Sequence, residues 1–144
     1  MASAKATIDL NVSPDEVWQL IGGFGALPDW LPYIAKSKLT DGGRIRHLDN
    51  PDGQTIMERL EKYDFAKRTY SYSILQAPFP VTEYLATIAV TPTNGGKGSH
   101  VEWSGTFTPK GISAEEAHNL FQGIFSDGLK ALASRYANQE SRAT

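Results

Sequence analysis

The chain has 144 residues, the usual size of one domain, and can bury a core without a metal or disulfide staple. Its 14 Lys and Arg residues against 16 Asp and Glu residues give a net charge of −2. This balance argues against nucleic acid and anionic membrane surfaces as partners. Since no Cys is present, thiolate metal sites, disulfides and cysteine nucleophiles are excluded.

The histidine spacing and the distribution of apolar residues bear on metal binding and on cellular location. His47, His100 and His118 lack the spacing of common metal ligands, so we expect no metal and no cofactor. The chain has no apolar run of about 18 residues and no apolar N-terminal segment of the secretory type. The sequence therefore predicts a cytoplasmic protein that does not enter the membrane.

The first predicted elements are a strand and two short helices. Residues 4–10 alternate between apolar and polar side chains, which indicates a half-buried strand. Ser13 and Glu16 have the spacing of a capping box, and Pro14 suits the first helical position, so a short helix should follow. The prolines within residues 25–33 leave room for only one further helical turn.

Strands and turns are predicted from Ile34 to Pro109. The runs 69–75, 84–90 and 101–107 are rich in aromatic and β-branched residues, which are typical of strands. Clusters of Gly, Asp, Asn and Pro separate about six such strands. Because the connections are short, the strands should pair as an antiparallel meander.

A long helix should close the chain. Ser113 and Glu116 form a second capping box, and apolar residues follow at helical spacing as far as Tyr136. We predict a helix over residues 114–136 and a frayed tail over residues 139–144.

The elements together predict a single α+β domain over residues 1–144. Its curved antiparallel sheet of about seven strands would wrap on the long C-terminal helix, with two short helices after the first strand. One helix cannot fill a strongly curved sheet, so a cavity is expected between the two layers.

The facing of the central strands decides which residues reach that cavity. A turn at Asp49–Gly53 would place His47 roughly opposite Glu58, with Ile45 and Ile56 on the same inward side. The carboxylate would then raise the pKa of the imidazole and make the pair a general acid–base. Burial alone would make Glu58 a candidate proton carrier. A polar anchor without chemistry and an outward-facing surface pair are the alternatives.

Aromatic residues are the next candidates. Tyr70, Tyr72 and Tyr84 can donate hydrogen bonds to a ligand, although core packing is the alternative for each. In the last strand, apolar alternation turns Trp103 inward and Glu102 outward. We favour Trp103, because burying an unpaired carboxylate is costly.

The roles of Phe79 and of two helical glycines have alternative explanations. Phe79, on the loop 77–80, would cover a ligand or form a dimer contact. Gly123 and Gly128 lower helix stability, so they provide either room for a ligand or close helix–sheet contact.

Several segments resemble one superfamily. The order of the elements, the Trp30-Leu31-Pro32 segment, the Glu58-Arg59-Leu60 strand and the Pro109-Lys110-Gly111 approach to the last helix are similar to those of START-related helix-grip (SRPBCC) proteins. That superfamily includes polyketide cyclase/dehydrase-like proteins, birch-pollen-allergen relatives and plant abscisic-acid receptors. The resemblance implies a helix-grip fold that binds apolar or aromatic molecules, with cyclisation, dehydration or lyase chemistry in some members.

The resemblance also implies inward positions on the strands and on the last helix, and, counted back from Pro109, it turns Glu102 inward as the alternative to Trp103. It further implies that loops 49–53 and 77–80 are candidate lids, because they take the places of the entrance loops of the receptors. With the residues considered above, it leads to the catalytic candidates His47, Glu58 and Tyr84. The predicted ligand-binding residues are Ile45, Ile56, Tyr70, Tyr72, Ile74, Phe79, Ala86, Trp103, Leu120, Phe121, Ile124 and Gly128.

The resulting functional prediction is a protein that binds a small hydrophobic or aromatic, polyketide-like molecule in an internal cavity. Cofactor-free acid–base chemistry of the cyclase, dehydratase or lyase type is its catalytic form. The alternative is a non-catalytic carrier or sensor of a hydrophobic ligand. A homodimer is a further possibility, and neither nucleic acid nor membrane is an expected partner.

Overall fold

The computed structural model of the protein describes residues 2–49 and 52–143, with side chains as far as Tyr136. The described residues form seven strands and three α-helices, joined by turns that include short 3-10 segments at Asp41–Gly43 and Asn94–Gly96. In chain order the elements are β1 (Ala2–Leu10), α1 (Pro14–Ile21), α2 (Leu27–Trp30), β2 (Lys36–Thr40), β3 (Ile45–Asp49), β4 (Thr55–Asp64), β5 (Thr69–Gln76), β6 (Val81–Thr93), β7 (Gly98–Pro109) and α3 (Ala114–Ala143).

All seven strands belong to one antiparallel sheet. Their order is β1-β7-β6-β5-β4-β3-β2, so every neighbouring pair except β1–β7 is consecutive in the chain. The predicted meander of six strands is therefore confirmed, and the structure adds β1 at its β7 edge. The short turns leave consecutive strands no other simple partner.

The predicted helix starts are also confirmed. The Glu16 backbone N–H donates to the Ser13 hydroxyl over 3.4 Å, and Pro14 is the first residue of α1. At the start of α3 the capping box is complete, with Glu116 N–H donating to Ser113 Oγ over 3.0 Å and Ser113 N–H donating to the Glu116 carboxylate over 3.4 Å. These bonds satisfy backbone donors that the first turn of a helix leaves unpaired.

The last helix is longer than predicted, because its backbone continues past Tyr136 to Ala143. The side chains of the predicted tail, residues 139–144, lie outside the described residues. Along β1, the Gln122 side chain of α3 accepts from Lys5 N–H over 3.1 Å and donates to Lys5 O over 2.7 Å. This amide takes the place of a neighbouring strand, so α3 covers the edge of the sheet at β1.

The core lies between the concave face of the sheet and α3. Trp103 on β7 is 4% exposed and packs on Phe125 of α3, with ring centroids 4.8 Å apart. Its neighbour Glu102 points to the other face, where its carboxylate lies 3.9 Å from the Lys5 ammonium. The facing favoured for this strand is therefore the observed one.

Candidate functional site

A cavity of about 210 Å³ lies between the sheet, α3 and the segment around α2. Its lining is mostly apolar and aromatic, with one Arg, one Glu and three Tyr as the polar members among the described residues. It consists of Leu27, Leu31, Tyr33, Ile34, Arg46, Leu48, Ile56, Glu58, Tyr72, Phe79, Tyr84, Trp103, Phe121, Ile124 and Phe125. An apolar chamber with a few polar groups at fixed positions is the usual composition of a small-molecule site.

The charged group in the cavity is an ion pair between neighbouring strands. Arg46 of β3 and Glu58 of β4 are cross-strand partners, and Arg46 Nε donates to Glu58 Oε1 over 2.8 Å. Arg46 is 1% exposed and Glu58 is 6% exposed. Buried charges of this kind persist only when they are paired and hydrogen-bonded.

The predicted pairing of His47 with Glu58 is wrong. In the observed register Asp49 lies opposite Thr55, so His47 faces Met57 and Ile45 faces Arg59. This is a shift of one residue from the predicted register, and such a shift turns every side chain of the strand to the other face. Ile45 and His47 therefore lie on the outer face, whereas Ile56 lies inside as predicted.

His47 has a different partner on that outer face. Its Nε2 atom lies 2.9 Å from the Thr40 hydroxyl of β2, within hydrogen-bond distance. The sheet separates the imidazole from the cavity, so His47 cannot contact a ligand bound there.

Aromatic rings surround the Arg46 guanidinium. Its Cζ atom lies 4.2 Å from the centroid of the Phe24 ring, 4.6 Å from that of Tyr72 and 5.8 Å from that of Tyr70. One terminal nitrogen donates to the Phe24 carbonyl over 3.0 Å and to the Tyr70 hydroxyl over 3.4 Å. The cation–π contacts and the hydrogen bond to the Phe24 carbonyl offset the free energy that the guanidinium loses when it leaves water.

Burial acts on both members of the pair. It raises the pKa of the Glu58 carboxyl above its ordinary value, and the charge and hydrogen bond of Arg46 oppose this shift. For Arg46, burial lowers the pKa, but Glu58, Tyr70 and Tyr72 together outweigh burial and the net shift of the pKa is upward. The cavity thus contains a permanent cation beside a carboxyl group that takes up a proton more readily than an exposed one.

Two tyrosines and a tryptophan lie beside Arg46 and Glu58 in the cavity lining, and together these residues form the polar wall of the cavity. Trp103 Nε1 donates to the Tyr72 hydroxyl over 3.0 Å, and that hydroxyl lies 3.5 Å from the hydroxyl of Tyr84. Burial raises the pKa of both phenols, so both remain protonated at neutral pH and can donate a hydrogen bond.

These phenols predict a loss of stability at alkaline pH. The folded chain holds its phenol protons above the ordinary pKa of 10.0, whereas the unfolded chain releases them there. The free energy of unfolding should therefore fall as pH rises above about 10, because the unfolded state then binds fewer protons. Urea unfolding across this range measures the slope, and Tyr84→Phe should make it shallower. An unchanged slope in that variant would contradict the assignment.

Eight of the fifteen predicted site residues line the cavity. They are Ile56, Glu58, Tyr72, Phe79, Tyr84, Trp103, Phe121 and Ile124. Phe79 stands on the loop between β5 and β6 and meets Phe121 of α3 edge-on, with ring centroids 5.3 Å apart. In the other candidate lid, residues 49–53, Asn50 and Pro51 lie outside the described residues.

The remaining inward predictions lie outside the cavity lining. Tyr70 is buried behind Arg46, and Ala86 is buried within the sheet. Ile74 and Leu120 are half-buried and pack against the edge of the core. The space beside Gly128 is occupied by side chains of Trp103, Tyr33 and Leu31.

The sequence reasoning missed seven lining residues: Leu27, Leu31, Tyr33, Ile34, Arg46, Leu48 and Phe125. Arg46 and Leu48 alternate with His47 along β3, so the register error assigns them to the outer face of the sheet. Phe125 carried a usable signal, since it belongs to the apolar stripe of the last helix. The residues around α2 carried none, because only the tertiary fold brings that segment to the cavity.

The two helical glycines have different surroundings. A methyl group at Gly128 would lie 2.7 Å from Trp103 Cζ3, 2.9 Å from the Tyr33 hydroxyl and 3.0 Å from Leu31 Cδ2. At Gly123 no atom lies within 4 Å. Gly128 therefore serves close helix–sheet contact and leaves no space for a ligand, which decides between the two alternatives.

We expect Gly128→Ala to lower the free energy of unfolding by about 1–3 kcal/mol, because overpacking exceeds the gain in helix propensity. Gly123→Ala is the matched control, and it should raise stability by about 0.5–1 kcal/mol. Urea unfolding of the two variants measures both values. Equal effects would contradict the difference in packing.

Other site types are not apparent in the described part of the chain. Among residues 2–49 and 52–143 no group of three or more His, Asp or Glu residues could hold a metal ion. None of the described helices is long and apolar enough to span a membrane.

Comparison with known proteins agrees with this architecture. Residues 1–137 match the family described as polyketide cyclase/dehydrase and lipid transport. The structure is similar to that of XoxI from Bacillus cereus, with 59% identity, a TM-score of 0.94, and coverage of 97% of this chain and 99% of that chain. Among curated proteins, the comparison finds no match.

More distant structures share the fold alone. A START superfamily protein from Mycobacterium smegmatis is 18% identical, with a TM-score of 0.78 over 96% of this chain and 99% of that one. The ZhuI aromatase/cyclase from a Streptomyces species is 15% identical, with a TM-score of 0.73 over 97% of this chain and 93% of that one. With its helix-grip architecture, the chain thus belongs to the polyketide cyclase/dehydrase and lipid transport family.

Proposed function

We propose that this protein binds a small hydrophobic or aromatic molecule in the cavity between the sheet and α3. We further propose that Glu58 carries a proton in cofactor-free acid–base chemistry on that molecule. The observation that carries the proposal is an apolar chamber of about 210 Å³ into which one buried ion pair, Arg46 and Glu58, is built. Burying such a pair costs desolvation free energy, and orienting a bound ligand is a function that would explain why the pair is present.

The cavity volume limits the size of the ligand. An apolar cavity of about 150 Å³ holds benzene, and drug-sized ligands occupy about 300–1,000 Å³. At about 210 Å³, this chamber suits a molecule of one or two rings. A larger polyketide-like molecule would require Phe79 or another lining side chain to move.

The polar wall is suited to proton transfer next to a carbonyl group. The Glu58 carboxylate would take a proton from the carbon beside the carbonyl, and the phenol of Tyr84 would donate a hydrogen bond to the resulting enolate oxygen. The same Glu58 would return the proton after ring closure or loss of a leaving group. Because His47 lies outside the cavity, the chemistry depends on Glu58 and the phenols.

A non-catalytic carrier is the second candidate. The family description names lipid transport beside cyclases and dehydrases. The hydrogen bonds of Arg46 to Glu58, Phe24 and Tyr70 also favour it, because polar groups that satisfy one another can hold a ligand without reacting.

Binding can be tested by filling the cavity. The Ile124→Trp variant should abolish binding of naphthalene-sized aromatic compounds, measured by calorimetry, because the larger side chain occupies the chamber. Leu85→Trp is the control, since Leu85 is 45% exposed on the outer face of the sheet, and its binding should match that of the original protein. Equal binding by both variants would place the ligand elsewhere and refute the proposal.

Turnover separates the enzyme from the carrier. Native mass spectrometry of the protein from its own host would identify a retained molecule, which is then used as the substrate. An enzyme should lose turnover of this molecule in Glu58→Gln and still bind it, whereas a carrier should show no turnover in any form.

A further inference from the structure

The charges that line the cavity cancel. Among the described lining residues, Arg46 and Glu58 carry the formal charges, and the remaining polar members include the phenols of Tyr33, Tyr72 and Tyr84. Arg46 cannot lose its proton under ordinary conditions, and at 1% exposure it needs a counter-charge. The Glu58 carboxylate, 2.8 Å away, provides it.

The guanidinium is also enclosed by the protein itself. It donates to Glu58, to the Phe24 carbonyl and to the Tyr70 hydroxyl, and it lies over the rings of Phe24 and Tyr72. A ligand carboxylate would have to compete with Glu58 for this cation. It would also approach a carboxylate of like charge within a mostly apolar chamber.

We propose that the cavity selects its ligand by charge: it accepts uncharged aromatic molecules that carry a carbonyl, amide or hydroxyl group, and it rejects carboxylates because Glu58 already neutralises Arg46. This inference rests on the proposed function, since it concerns the ligand of the same cavity. Glu58 is then the residue that determines specificity, and its acceptor oxygens together with the Tyr84 phenol recognise the polar group of the ligand.

Two compounds of the same shape test the proposal. 2-Naphthamide and 2-naphthoate differ in charge and have nearly the same volume. The unsubstituted protein should bind 2-naphthamide at least about tenfold more tightly than 2-naphthoate, since an uncompensated charge interaction inside a protein exceeds the energy of a tenfold ratio. Calorimetric titration at neutral pH measures both dissociation constants.

The Glu58→Gln variant should weaken or remove this preference. It removes the negative charge and leaves Arg46 to attract the anion, so 2-naphthoate should gain at least about tenfold in affinity. Adding Arg46→Met to that variant should abolish the gain, which assigns it to the guanidinium. Glu102→Gln removes the same charge from the outer face, and it should leave the ratio of the two affinities unchanged.

The outcomes separate this inference from the proposed function. If neither compound binds to any form of the protein, both are overturned. If both compounds bind the unsubstituted protein with equal affinity, or 2-naphthoate binds more tightly, only the charge selection is overturned. Should Glu58→Gln fail to fold, the ratio for the unsubstituted protein decides alone.

Discussion

Replacing Glu58 with Gln should lower the free energy of unfolding by about 3–5 kcal/mol, because it leaves the buried Arg46 charge without its counter-ion. The pair is nearly inaccessible to water, and the guanidinium cannot become neutral to escape the cost. Urea denaturation followed by circular dichroism measures the loss.

Two further variants establish the cause of that loss. Glu102 also faces a cation, but its carboxylate is 41% exposed and lies 3.9 Å from the Lys5 ammonium. Glu102→Gln should therefore cost about 1 kcal/mol or less. Replacing both Arg46 and Glu58 with Met should recover most of the stability lost in Glu58→Gln, because no unpaired charge then remains. A double variant as unstable as Glu58→Gln would show that the loss has another origin.

Shortening Phe121 to Ala should cost a similar amount, about 3–5 kcal/mol, and should enlarge the cavity. Phe121 is 1% exposed and forms ring contacts with Tyr84, Phe107 and Phe125, at centroid distances of 5.1, 4.6 and 6.2 Å. Since its ring is part of the chamber wall, removing it should also allow the variant to bind three-ring aromatic compounds that the original protein excludes. Urea unfolding and calorimetric titration measure the two effects.

Phe65 supplies the matched control. It stands in the turn between β4 and β5 and is 75% exposed, so Phe65→Ala removes the same atoms without opening a cavity. Its cost should stay within about 0.5 kcal/mol, and its ligand size limit should not change. If Phe121→Ala gained no capacity for larger rings, Phe121 would not be a wall of the ligand chamber.

Much of the architecture could be predicted because it depends on short-range patterns. Both capping boxes lie within four residues of sequence. The box at α3 forms both of its hydrogen bonds, and the box at α1 forms the bond from Glu16 N–H to Ser13. Trp103 turned inward as alternation favours, because a strand presents successive side chains to opposite faces. The resemblance to helix-grip proteins added the order in which these elements assemble.

The polar centre of the cavity could not be predicted in the same way. The β3 sequence offers two alternating sets, Ile45 with His47 and Arg46 with Leu48, and the turn at residues 49–53 decides which set faces the cavity. The position expected for that turn is one residue away from the observed register, and this error exchanges Arg46 for His47 as the partner of Glu58.

By itself, the sequence determined the seven-stranded sheet and the long helix, since both follow from periodicity and from end signals within a few residues. Only the tertiary structure decided that an arginine occupies the centre. Its burial depends on Phe24, Tyr70 and Tyr72, which come from separate parts of the chain and enclose the guanidinium only after folding. A buried charge is stabilised by partners that are distant in sequence, and a local sequence pattern does not identify them.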